Sequence, residues 1–78
     1  MNIKEQMRRT VNAMTIREAL EYYVRLNCLF SILENKYGSM EEAKGWLNES
    51  NQVFGYEKPV IVATTPEGIE RVINYLRV

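Results

Sequence analysis

The sequence has no histidine, a single cysteine, two prolines and no surplus of charge: ten Lys and Arg stand against ten Asp and Glu in 78 residues. Each shortage excludes a class of function. Without histidine there is no imidazole metal ligand and no imidazole dyad, and one Cys allows neither an internal disulfide nor a thiolate zinc cage. Such cysteine usage predicts a reducing compartment. A balanced charge and a pI near 6.3 argue against the broad basic face that non-specific nucleic-acid binding requires. The apolar runs are far too short to span a bilayer, and Lys4, Glu5, Arg8 and Arg9 interrupt any signal-peptide core at the start of the chain. The expectation is one small cytoplasmic domain with no cofactor. A chain of this length hides roughly 60% of the surface its unfolded form exposes, so a partner, a second copy above all, is plausible on stability grounds.

What is present is helical punctuation. Three polar residues are each followed by Glu three positions later: Asn2 with Glu5, Thr15 with Glu18, and Ser39 with Glu42. That spacing lets side chains bond the unpaired amides of a first helical turn, and Ser39 with Glu42 reads as the best of the three. Ile3, Met7, Val11 and Met14 predict a short amphipathic helix over about 3–13. The second cap opens a helix over about 16–37, which Gly38 can end in a left-handed conformation. A third runs from Ser39 to about Glu49, with Met40, Ala43 and Leu47 on one face and Trp46 beside it. Asn48, Ser50, Asn51, Gly55 and Pro59 then mark a structured loop. Propensity alone makes Val60 to Val62 a strand. Thr65, Pro66 and Glu67 open the last helix, whose apolar stripe is Ile69, Val72, Ile73 and Leu76.

The long helix is the most informative element. Nine of the twelve residues from Tyr22 to Leu33 are apolar and fall on every side of the cylinder, so the helix must be covered all round. The reading favoured here is a homodimer whose seam includes Tyr23, Leu26, Phe30 and Leu33. The alternative is a central helix wrapped by the rest of the chain. Asn27 and Ser31, one turn apart, can bond each other or fix a dimer register. Cys28, with no cationic cluster near it in sequence, reads as a packed hydrophobe instead of a nucleophile.

No enzyme motif emerges. Glu41 and Glu42 are adjacent, so on a helix they diverge by about 100° and serve the helix start, not a shared reacting atom. Gly55 lacks the companions of a phosphate-binding loop. Arg8, Arg9 and Arg17 are interspersed with Glu5, Glu18 and Glu21, the pattern of a solvated face more than of a nucleic-acid patch.

The order of residues in the second half carries more. Ala43, Trp46 and Leu47 in EEAKGWL are followed by Asn51, Phe54 and Gly55 in NQVFG. Then come Pro59, Thr64 and Gly68 in KPVIVATTPEG, and Val72 and Leu76 in IERVINYL. This ordered set, over about residues 37–78, resembles the toxin-binding domain of MbcA/ParS/Xre antitoxins. The resemblance implies a mainly helical domain, and on that ground Val60 to Val62 is expected to form a short helix after Pro59 despite its β preference. The fold expected is then all-α, about four helices around a long central one. Residues 1–37 would be a helical dimerisation segment and 38–78 the toxin-binding module of one compact domain. The resemblance further implies a bacterial antitoxin, not itself an enzyme, that binds a RES-domain toxin acting on NAD and occupies the mouth of its active site. Two features depart from the family. The helix-turn-helix that usually precedes the module has no counterpart in the first 37 residues, so nucleic-acid binding by this chain alone is not expected. Tyr56 stands where the family often has another Gly.

The expected inhibitory surface is the loop of Gly55, Tyr56, Glu57 and Lys58 with the outer face and end of the last helix, Arg71, Asn74, Arg77 and the Val78 carboxylate. Tyr56 beside charges is a mixture common at interfaces, and the resemblance implies that this end of the domain blocks the NAD site. Trp46 and Pro59 are read as structural, the indole packing under the loop and against the last helix. A homodimeric interaction module that reuses this domain without a cognate toxin is the alternative function.

Overall fold

The computed structural model describes residues 4, 5, 8, 9 and 14–77. Over residues 14–77 four helices and no strand are formed: α1 (Ile16–Tyr37), α2 (Met40–Leu47), α3 (Pro59–Val62) and α4 (Pro66–Leu76), with a 3₁₀ turn at Gln52–Phe54. Lys4, Glu5, Arg8 and Arg9 are helical and exposed, inside the first helix expected over about 3–13; the rest of that span, and Asn2, lie outside the described residues.

The caps act much as their chemistry requires. Thr15 closes a full capping box: its hydroxyl accepts from the Glu18 amide at 3.2 Å, and the Glu18 carboxylate accepts from the Thr15 amide at 3.2 Å. The Thr15 hydroxyl also donates to that carboxylate, and this side-chain bond, then the backbone one, holds the Glu18 carboxyl below the ordinary range. The linked stability is therefore present above the unfolded carboxyl pKa and lost as pH falls through the folded one. The ranking of caps needs correcting, because at Ser39 the amide of Glu42 donates to the hydroxyl at 3.3 Å and only this half of the box forms. Gly38 ends α1 at φ 87°, left-handed as expected, and its amide returns to the Glu34 carbonyl. Helix α2 stops at Leu47, about two residues earlier than expected, where Asn48 folds back with both its amide and its side chain donating to the Lys44 carbonyl.

Val60, Ile61 and Val62 are helical. Pro59 supplies the fixed φ of a first turn and is itself fully buried, so the site is held by packing and overrides the β preference of the three residues after it.

The core lies between α1 and the later elements. Tyr22, Leu26, Leu29 and Leu33 form its α1 side, a stripe with spacings of four, three and four. Ala43 and Leu47 of α2, Phe54, Ala63, and Ile69, Val72, Ile73 and Leu76 of α4 complete it. Tyr22 meets Ala63, Arg25 pairs with Glu70 at 2.9 Å, and Cys28 meets Arg77, so contacts advance together and α1 and α4 run in roughly the same direction.

The expected seam is corrected by this phasing. Leu26 and Leu33, 9% and 0% exposed, are taken by the chain's own core, whereas Tyr23 and Phe30 face outward. The four residues do not share a surface. The wrapped-helix alternative holds for one side of α1, and the other carries Ile16, Leu20, Tyr23 and Val24 to solvent.

Among the described residues Tyr22 contributes the one long-range side-chain hydrogen bond of the core: its hydroxyl donates to the Ala63 carbonyl at 2.7 Å, tying α1 to the end of α3. Desolvation, and then proximity to Tyr23, raises its pKa, so it remains a donor across the neutral range. Tyr22→Phe is expected to cost about 1–2 kcal/mol, since a buried carbonyl loses its partner, with the urea midpoint lowered and the slope unchanged.

Candidate interaction surface

The loop between α2 and α3 is built by side-chain and backbone bonds that close it on itself. The Asn51 carboxamide oxygen accepts from the Val53 amide at 3.0 Å, starting the 3₁₀ turn. The Asn51 amide donates to the Glu57 carbonyl and the Tyr56 amide donates to the Asn51 carbonyl, an isolated antiparallel bridge across the base of the loop. To turn inside that bridge, two consecutive residues take left-handed backbone, Gly55 at φ 65° and Tyr56 at φ 68°.

That conformation gives a physical reason for the glycine that the resembled family often has where this chain has Tyr56. Here the tyrosine bears the cost of left-handed backbone, about 1–2 kcal/mol, without burial in return, for the residue is 69% exposed. Tyr56→Gly is therefore expected to stabilise the domain, by about 0.5–1 kcal/mol after the greater entropy of glycine in the unfolded chain is set against it. A lower thermal midpoint for this variant would show that the ring has a folded-state partner.

Phe54, 5% exposed, anchors the loop to the rest of the domain. Its ring meets Tyr75 edge-on at 5.6 Å and Trp46 at 6.5 Å, and the Arg71 guanidinium lies over its face at 5.7 Å from the centroid. Trp46 stacks nearly parallel on Tyr75, with centroids 6.1 Å apart, and on Tyr37 at 6.4 Å. The outcome is a shelf of four rings running from the end of α1, across α2 and the loop, to the end of α4. Trp46 lies where expected, against the loop and the last helix, half-buried. Desolvation, followed by the nearby Tyr75 and Glu49, raises the pKa of Tyr37, so its hydroxyl stays protonated at neutral pH.

The expected surface residues divide into two groups. Gly55, Tyr56, Glu57 and Lys58 are all exposed, and Arg71 is exposed on the side of α4 that faces the loop through Phe54. Asn74 is exposed next to Arg71 on the outer face. Arg77 is turned away from Arg71: about 120° from it around the helix axis, it reaches α1, where its guanidinium donates to the Cys28 sulfur at 3.3 Å. Val78 lies outside the described residues. Cys28 is half-buried, with one cation beside it that sequence separation hid.

Two exposed residues escaped the sequence reading. Tyr75, 40% exposed, lies one turn beyond Arg71, and Val53, 53% exposed, flanks Phe54. The signal for Tyr75 is its place off the apolar stripe of α4 on the same side as Arg71. The chemistry this arrangement offers is contact: rings, a guanidinium and a closed loop, with no convergent acid and base. Among the described residues no three His, Cys, Asp or Glu side chains come together to hold a metal ion, and no helix is long and apolar enough to cross a membrane.

Residues 30–77 match the family described as the antitoxin Xre/MbcA/ParS C-terminal toxin-binding domain, somewhat more of the chain than the 37–78 in which the resemblance was read. No curated protein and no solved structure matches the chain.

Proposed function

The chain belongs to the antitoxin Xre/MbcA/ParS C-terminal toxin-binding domain family, and from that membership we propose that it neutralises a RES-domain, NAD-targeting toxin by covering the mouth of its active site. The observation that carries the reading is Tyr56. A large aromatic kept in a left-handed conformation and left in solvent is disfavoured for the isolated domain, and such local cost is commonly retained where a residue meets a partner. Beside it Arg71 and Asn74 offer charged and amide donors, and the half-exposed ring of Tyr75 offers area. A guanidinium already oriented over Phe54 loses little side-chain freedom when it meets a carboxylate in a nucleotide-processing cleft. Arg77, turned to Cys28, and Val78 are assigned the second part of the surface, brought into play where α4 ends. The protein acts by binding and performs no chemistry of its own. We place it in the bacterial cytoplasm, as a homodimer in its working form.

The test is titration of a RES-domain toxin, sought first in the reading frames adjacent to this chain, with wild type, Tyr56→Ala and Arg71→Glu, read by calorimetry and by relief of NAD consumption. Each variant is expected to weaken binding by about 10-fold or more while circular dichroism stays unchanged. Folded variants that inhibit at wild-type affinity would remove the loop and Arg71 from the interface. A wild-type chain that binds no such toxin would leave the interaction module without a toxin as the better reading.

A further inference from the structure

The outward side of α1 carries a second apolar seam, and we propose that it pairs with the same seam of a second copy in antiparallel orientation, Leu20 against Phe30 and Tyr23 against Asn27 of the partner. The inference rests on the self-association proposed above and fixes its geometry. Ile16, Leu20, Tyr23, Asn27, Phe30 and Glu34 follow one another with spacings of four, three, four, three and four, the repeat of a coiled-coil stripe, and all six are exposed. Their stripe is distinct from that of Tyr22, Leu26, Leu29 and Leu33, which the chain's own core consumes. Ile16, Leu20 and Val24 are 83%, 62% and 66% exposed, a concentration of aliphatic surface with no covering element among the described residues.

Charge chooses the occupant and the direction. Arg17 lies beside Ile16 at one end of the stripe, and Glu34 closes the other. Two copies in parallel would set Glu34 against Glu34 and align the helix dipoles. Two antiparallel copies set each Glu34 over the partner's Ile16 and Arg17 end, and the dipoles oppose. In that register Asn27, the polar member of the stripe, faces the tyrosine hydroxyl of position 23, a donor and acceptor with which its amide can bond. Val24 then meets its own copy near the two-fold axis. A shallow groove of about 230 Å³ lined by Leu20, Glu21, Val24 and Arg25 flanks the stripe on its Val24 side.

The test uses the whole chain in a Cys28→Ala background. Leu20→Cys and Phe30→Cys proteins, distinguishable by mass, are mixed at micromolar concentration and oxidised. The expected product is the mixed 20-to-30 disulfide. Homodisulfides at 20-to-20 and 30-to-30 with no mixed species would establish a parallel pair and overturn the register while leaving self-association standing. A 9.2 kDa species in sedimentation of the wild type, with no cross-link, would overturn both. Charge reversal gives an independent readout. Glu34→Arg is expected to weaken the dimer by about 2- to 10-fold, and adding Arg17→Glu to bring it back near wild type. A double variant weaker than the single one would also overturn the register. Phe30→Asp is expected to abolish the dimer with unchanged helical content, because in the monomer this side chain is 38% exposed.

Discussion

Gly68→Ala is expected to lower the stability of the domain by about 3 kcal/mol or more, since of the four glycines only this one has other atoms where a Cβ would go. The position needs no special backbone conformation; what it lacks is space. A Cβ built there would fall onto the Val62 carbonyl oxygen, with the Val62 carbonyl carbon and the Thr65 hydroxyl oxygen each only 2.8 Å away. Two of these atoms are backbone, so no rotamer change relieves the clash, and α3 must move off α4 or the first turn of α4 must open. Opening that turn also breaks the cap, in which the Gly68 amide donates to the Thr65 hydroxyl at 3.0 Å. A domain of this size has a total stability of order 4–12 kcal/mol, so the loss is a large fraction of the whole. The thermal midpoint should drop by about 12 °C or more, at roughly 4–8 °C per kcal/mol. A midpoint within about 2 °C of wild type would mean that α3 is not held where the structure has it.

The same glycine shows where reading a sequence works and where it stops. Gly68 stood in the ordered set that pointed to the family, but its physical reason is contact with a carbonyl six residues earlier, which no local pattern reveals. Local chemistry was legible: the Thr15 and Ser39 caps, the Gly38 stop and the Pro66 start act within one turn, so three or four consecutive residues determine them. The relative strength of the caps was not, because whether the Glu42 carboxylate returns to complete a box depends on its rotamer and not on its spacing. The long helix was legible and its phase was not. An apolar cylinder contains two stripes with the same four and three spacing, and Tyr23 and Phe30 belong to one while Leu26 and Leu33 belong to the other. Only the position of α4 decides which faces inward. The exposed loop around Gly55 and Tyr56 was legible as a turn. The turn of Arg77 toward Cys28, across 49 residues of sequence, was not.

Trp46→Ala is the second substitution expected to be severe, at about 3–4 kcal/mol. The indole is half-buried, so area alone would put the loss lower, but its position is central: Tyr37, Phe54 and Tyr75 all meet it, from three different elements. Its removal leaves Tyr75 without the ring it stacks on and Phe54 with a gap on one edge, so the loop loses its anchor to α2 while keeping Tyr75 and Arg71. The loop should then loosen before the helices melt, which distinguishes this variant from a simple core deletion. As the chain has one tryptophan, its fluorescence reports the shelf directly in the wild type. A blue-shifted emission partly protected from iodide is expected for the free protein, and added toxin should deepen the protection. Fully quenchable, red-shifted emission would place the indole in solvent and make it a contact alone. Trp46→Phe separates the two roles. A phenyl ring keeps a stacking partner for Tyr75 and should restore most of the stability lost to alanine. If that folded variant binds toxin as tightly as wild type, the indole holds the shelf in place for others to use. Weakened binding at restored stability would show that its exposed edge is itself in the interface.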